Sequence, residues 1–149
     1  MMRRTGPIHS RCTAALLGGT ATLESMHPDL TAVNHVEQLD RLIDESQTRP
    51  LLLFKHSYTC GTSMEALDEL VAHLNEGPTT AQYAMVTVQT HRAVSNAVSA
   101  RLGVRHETPQ ALLIRDGRVV WSASHFRVTA SAVDDAIRSQ AERPPFSPS

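Results

Sequence analysis

The sequence predicts one α/β domain with a central mixed four-stranded sheet and helices on both faces. Three observations predict it. The apolar run "PLLLF" at 50–54 is the kind of strand that is covered on both sides of a sheet. Stripes of apolar residues at helical spacing lie before and after it. Two strand-like runs are joined by Asp116-Gly117, the strongest short-range signal for a hairpin. A chain of 149 residues, 41% hydrophobic and 19% charged, fills one core and leaves little for a second.

Each element has a local reason. Over 32–46, Val33, Val36, Leu39, Leu42 and Ile43 recur at steps of three and four, one buried stripe of an amphipathic helix. The run at 50–54 follows as a central strand. Beyond Cys60, the residues Met64, Leu67, Leu70, Val71 and Leu74 repeat with helical spacing as far as "NEGP", where Gly77 and Pro78 stop the element. "YAMVTVQ" at 83–89 reads as a second strand, and 93–102 as a short helix ended by Gly103. Strands at 110–115 and 118–124 form the hairpin, and 129–141 form a last helix with Ala132, Val133, Ala136 and Ile137 on one face. Two strands joined through a helix should be parallel by right-handed crossover, and the hairpin adds an antiparallel pair. That element order is the one found in the thioredoxin fold.

The ends are different in character. Residues 1–28 read as a disordered leader rich in Gly, Ser and Thr, with Met26 as an alternative start, and 143–149 as a flexible Pro-rich tail; the domain is expected over 29–142. The leader's apolar stretch at 14–17 is too short for a signal sequence, which makes a cytoplasmic location the expectation. A formal charge of -1 provides no basic surface for nucleic acid, and no apolar run is long enough to span a membrane. Neither is expected as a partner.

Chemistry is concentrated at "KHSYTCGTS", 55–63. Cys60 stands at the expected start of a helix, where unpaired backbone N–H groups and the positive end of the helix dipole favour a thiolate. A lone cysteine is more often a small buried hydrophobe, but Thr59-Cys60-Gly61 belongs to a polar turn, and such turns carry sites. Ser63 occupies the place where a dithiol oxidoreductase has its resolving cysteine, so no disulfide can close within the motif; its hydroxyl could donate to the Cys60 sulfur. The other cysteine, Cys12, lies far away in the leader, and nothing around it supports a resolving role. In "HETPQ", 106–110, the Thr108-Pro109 bond suits a cis-proline, whose fixed geometry exposes the preceding backbone N–H and C=O to pair with an extended substrate. His56, His73, His91, His106 and His125 are scattered without an HxxxH or HExxH pair, so no metal site is expected. Either His56 or His125 could stabilise the thiolate if it lies close. Trp121 and Phe126 read as core or rim packing and not as ligand contacts.

The segments "KHSYTCGTS", "VQTHRAVSNAV" and "LGVRHETPQALLIRDGRVVWSASHF" together resemble the bacillithiol system redox-active family, the YtxJ-like or monothiol bacilliredoxins, from about Pro50 to about Val133. The resemblance implies a thioredoxin fold, a single active cysteine and removal of bacillithiol from mixed disulfides on client proteins. By position, Cys60 matches the reactive cysteine, Ser63 the serine that closes the motif, and Pro109 the cis-proline. Residues 92–96, starting at Arg92, match an Arg-Pro-Val-Ser-Asn segment with Ala93 in place of proline, and Ser124-His125 match a Ser-His pair. Thr59, Gly61, Thr62, Arg92, Thr108, Pro109, Ser124 and His125 are then the expected substrate-binding residues. Gly61 and Thr62 depart from the Pro-Ile that is common in the family. No bound cofactor is implied, and bacillithiol enters as a thiol co-substrate whose carboxylates Arg92 or Arg105 could hold. Two other readings stay open: a non-catalytic thioredoxin-like binding module, and a glutaredoxin-like monothiol protein using glutathione, another thiol or an iron-sulfur cluster.

Overall fold

The computed structural model describes residues 27–141, so Cys12, Met26, most of the expected leader and the tail at 143–149 lie outside the described residues. The elements are β1 (Leu30–Ala32), α1 (Val36–Glu45), β2 (Leu51–His56), α2 (Gly61–Asn75), β3 (Gln82–Thr87), α3 (Arg92–Leu102), β4 (Gln110–Arg115), β5 (Arg118–Ser124), a 3-10 turn (His125–Arg127) and α4 (Ala130–Ala141). They build one sheet in the order β1-β3-β2-β4-β5. β1, β2 and β3 are parallel, and β4 and β5 are antiparallel additions on the other side of β2.

The sheet has five strands where four were expected. β1 is only three residues long, and its ladder runs from Leu30 opposite Tyr83 to Ala32 opposite Met85. Val33 extends the pairing by donating its N–H to the Met85 carbonyl at 2.9 Å. In sequence Val33 looked like the first residue of the helical stripe, because a buried valine is compatible with either period. Its burial comes from the end of β1, and the helix starts at Val36.

The central strand explains the two-sided core. All six residues of β2 are buried, and alternate side chains point to opposite faces. Leu52 and Phe54 pack with Leu67, Leu70, Val133 and Ile137 under α2 and α4. Leu51 and Leu53 pack with Leu39, Val94 and Val98 under α1 and α3. The helix pair α2 and α4 is fastened at one end by Glu69, whose carboxylate accepts the Ala130 N–H at 2.7 Å at the start of α4.

The β4–β5 turn has positive φ at both Asp116 (55°) and Gly117 (75°), the requirement of the tight hairpin turn that the dipeptide signals. The fold also places every β2, β3 and β5 C-terminus, together with the start of β4, at one end of the sheet. All candidate site residues come from the loops at that end or from the helix starts and strand end that border them. Among the described residues, no helix is long and apolar enough to cross a membrane.

Candidate active site

Cys60 is the N-cap of α2, in extended backbone at φ −110° and ψ 121°, and is half-buried as a free thiol. Its own N–H is held by the Ser57 carbonyl at 3.3 Å, and its carbonyl receives the Met64 N–H at 3.0 Å. The turn is closed by its side chains as well. Gln89, just after β3, donates from Nε2 to the hydroxyls of Ser57 and Thr59, the latter at 3.0 Å. The Cys60 side chain makes no capping bond, so its sulfur is left for other chemistry.

Ser63, the third residue of α2, is fully buried. Its Oγ accepts the Ser57 N–H at 2.9 Å and lies 2.8 Å from Nδ1 of His56. These partners tie the hydroxyl to the turn and to the end of β2. When Nδ1 is the acceptor, Ser63 donates its proton to His56; when Nδ1 carries the proton, Ser63 accepts from it, and in both cases the hydroxyl is engaged by the turn and by His56. Burial pushes the His56 pKa below its usual value, which keeps the ring neutral. The ring is stacked on Phe54, with centroids 5.9 Å apart, and this fixes it against the start of α2.

The loop before β4 is brought alongside by strand register. Lys55 pairs with Gln110 across the antiparallel ladder, which sets Pro109 next to His56. The Thr108-Pro109 bond is cis. Beneath this loop Lys55 is completely buried, its Nζ donating to Nδ1 of His106 at 2.7 Å. His106 then presents its Nε2–H to the Thr108 hydroxyl at 3.3 Å. Burial pushes the Lys55 pKa down to about 8. His106 is held below the ordinary histidine range by burial first, then by the charges of Lys55 and Arg92.

Ser124 and His125 reach the same end of the sheet but face a different partner. The His125 N–H donates to the Pro109 carbonyl at 3.1 Å, and its ring lies 3.6 Å from the Glu107 carboxylate. Glu107 is held below its ordinary pKa first by a hydrogen bond from the Ser124 side chain, with His125 adding to it. The pair therefore braces the proline loop through Glu107. His125 sits at φ 57°, a left-handed conformation that turns it and the exposed Phe126 towards a cleft of about 320 Å³ beside Thr62. Of the core or rim positions expected for Phe126, its 75% exposure leaves the rim. Gly61 and Arg92 are exposed, each the first residue of its helix, while Arg105 is exposed in the proline loop.

Sequence reasoning named Cys60, Ser63 and the proline loop, and raised His56. It missed Lys55, His106 and Gln89 as supports. A lysine in an apolar strand was the available signal, since such a charge must find a partner when it is buried.

Solved structures with similar backbones extend the comparison. A candidate oxidoreductase with a thioredoxin fold superimposes with a TM-score of 0.66 at 26% identity, covering 74% of this chain and 96% of that one. Thioredoxin from Trypanosoma brucei brucei gives a TM-score of 0.64 at 15% identity, over 78% of this chain and 94% of its own. Fasciola hepatica thioredoxin gives 0.60 at 19% identity, over 73% and 97%. The two thioredoxins show the shared fold. The sequence itself matches the monothiol bacilliredoxin BrxC family over residues 31–133, a span that contains the cysteine turn, the proline loop and both halves of the sheet. With its thioredoxin fold and one thiol at the head of α2, the chain belongs to the monothiol bacilliredoxin BrxC family and is a thiol–disulfide redox protein.

Proposed function

We propose that this protein removes bacillithiol from mixed disulfides on client proteins, with Cys60 as the nucleophile. The observation that carries the reading is the free thiol at the N-cap of α2, with a serine in the resolving position. The Cys60 thiolate attacks the bacillithiol sulfur of the modified client. The client–bacillithiol S–S bond breaks, a Cys60–bacillithiol disulfide forms, and the client sulfur leaves as a thiolate that takes a proton. A second bacillithiol thiolate then attacks the bound bacillithiol sulfur, which releases Cys60 and yields bacillithiol disulfide. In all, one free bacillithiol thiol is consumed and one client thiol is released, and the disulfide passes from the client to bacillithiol with no net change in the number of S–S bonds.

The surrounding residues support this sequence of steps. Ser63 cannot compete as a second thiol, so resolution falls to a thiol from outside the motif. Pro109 holds Thr108 so that the Thr108 backbone N–H and C=O can pair with an extended client segment, and Arg92 and Arg105 offer charge to the carboxylates of bacillithiol. Tyr58, Met64 and Phe126 are exposed apolar side chains around the cysteine turn, suited to contact with a protein surface. A cytoplasmic protein with no resident cofactor fits this reading.

The test follows adducts by intact mass. A bacillithiolated model protein is mixed with the wild type and with Cys60→Ser. Uptake of the adduct and release of the client by the wild type alone is the expected result. Transfer by neither chain, with glutathione disulfide also leaving Cys60 unmodified, would favour a binding module in place of a transferase.

A further inference from the structure

At the end of the molecule away from Cys60, the helices α2 and α4 bring three possible metal ligands together. His73 and Glu76 lie one turn apart at the end of α2, and Asp134 faces them from α4. One donor atom from each lies within 4.8 Å of the other two. His73 is 1% exposed, yet its Nδ1 has no hydrogen-bond partner; the nearest carboxylate oxygen, on Asp134, is 3.9 Å away. The three residues line a common cleft of about 320 Å³.

The other side of the His73 ring is engaged through Nε2. Nε2 lies 2.7 Å from the Tyr83 hydroxyl, which in turn lies 2.6 Å from Oγ1 of Thr79. Thr79 Oγ1 also accepts the Ala81 N–H at 3.1 Å. Of the two proton arrangements this chain allows, the one running from His73 Nε2–H to Tyr83 and from Tyr83 to Thr79 leaves the Nδ1 lone pair towards the two carboxylates, and it is the one that a bound cation selects. A lone pair facing anions in a buried place is unfavourable unless a cation stands between them. An outer hydrogen bond that sets the free nitrogen is the usual support of a ligating histidine. The site has further negative character from the carbonyl end of α2, where Glu76 is the C-cap. Arg138 holds the far oxygen of Asp134 at 2.9 Å, leaving the near oxygen towards His73.

We propose that His73, Glu76 and Asp134 form a binding site for a divalent cation of the zinc type, which clasps the end of α2 to α4. An imidazole nitrogen with two carboxylate oxygens suits zinc better than magnesium or calcium, which prefer all-oxygen sites. Tetrahedral ligands at about 2.1 Å from zinc stand about 3.4 Å apart, so small rotations of the exposed Glu76 and half-buried Asp134 close the set. The fourth position opens to the cleft, for water. The clasp lies apart from the thiol chemistry and does not depend on it.

The test is zinc titration calorimetry on the full chain carrying Cys12→Ser and Cys60→Ser, since thiolates would bind zinc themselves. One zinc per chain is expected, with affinity falling at least about tenfold in both Glu76→Gln and Asp134→Asn on that background. Arg138→Ala should keep the affinity, which separates the ligand role of Asp134 from its ion pair. Glu76 is exposed, so Glu76→Gln leaves the fold intact and its loss of binding reads the site directly. Zinc should also raise the melting temperature of the parent chain and not that of Glu76→Gln. Absence of binding at about 1 mM zinc, affinity unchanged in either carboxylate variant, or loss of binding in Arg138→Ala would each overturn the proposal.

Discussion

Ser63 serves the fold before it serves the thiol. Its hydroxyl is the partner of a backbone N–H and of a buried imidazole, both within the turn that presents Cys60. Ser63→Ala leaves those two groups unpaired, and an unsatisfied buried polar group costs about 1–3 kcal/mol. A loss of about 2 kcal/mol in urea unfolding is expected, with Cys60 still open to alkylation. Unchanged stability would mean that water replaces the hydroxyl. Lys55 gives a second prediction at this scale. Its pKa in the fold is about 8 because burial disfavours the ammonium, against 10.5 in the unfolded chain. Between those values the unfolded chain binds more protons, so this group's contribution to stability rises with pH and is lost as pH falls through 8. The stability of Lys55→Met relative to the wild type should therefore be greatest below pH 8 and decline towards pH 10.5. Equal slopes for the two proteins across that window would refute the buried charge.

Elements show where local sequence was enough. The hairpin strands at 110–115 and 118–124 coincide with β4 and β5, because Asp116-Gly117 accepts positive φ at both turn positions. What the turn docks on was not legible: the Asp116 and Gly117 N–H groups donate to the carbonyl and hydroxyl of Ser46, at the end of α1. The start of α2 permits a direct test of the departure from the family motif. Gly61 is the first helical residue, a Cβ there would meet nothing within 4 Å, and Cys60 before it is extended, as a residue preceding proline must be. Gly61→Pro is thus expected to stabilise the protein by about 0.5–1 kcal/mol, by restricting the unfolded chain at a position where proline fits. A lower melting temperature would show that the Gly61 N–H has a role in the turn.

Across the whole molecule, pH couples the site to the fold. His56 is held below 6.5 by burial, and His106 by burial together with Lys55 and Arg92. Between the folded pKa and 6.5 the unfolded chain binds more protons, so these groups' stabilisation is complete above 6.5 and lost as pH falls through the folded values. The melting temperature should drop from about pH 7 to about pH 5.5, and His56→Asn should flatten that decline. An equal decline in the variant would assign the acid sensitivity to other groups.

What the sequence determined by itself was whatever depends on neighbours along the chain. Helical and strand periods, the Asp-Gly turn, and a cysteine placed between a strand and a helix are all written within a few residues, and they identified the fold and its thiol. The tertiary structure decided what depends on distant residues meeting. A three-residue edge strand is held by Tyr83 to Met85, a buried lysine finds His106, and His73 faces Asp134 across two helices. Polar groups reveal their purpose only when burial removes water and leaves one partner within reach, and burial is a property of the folded chain.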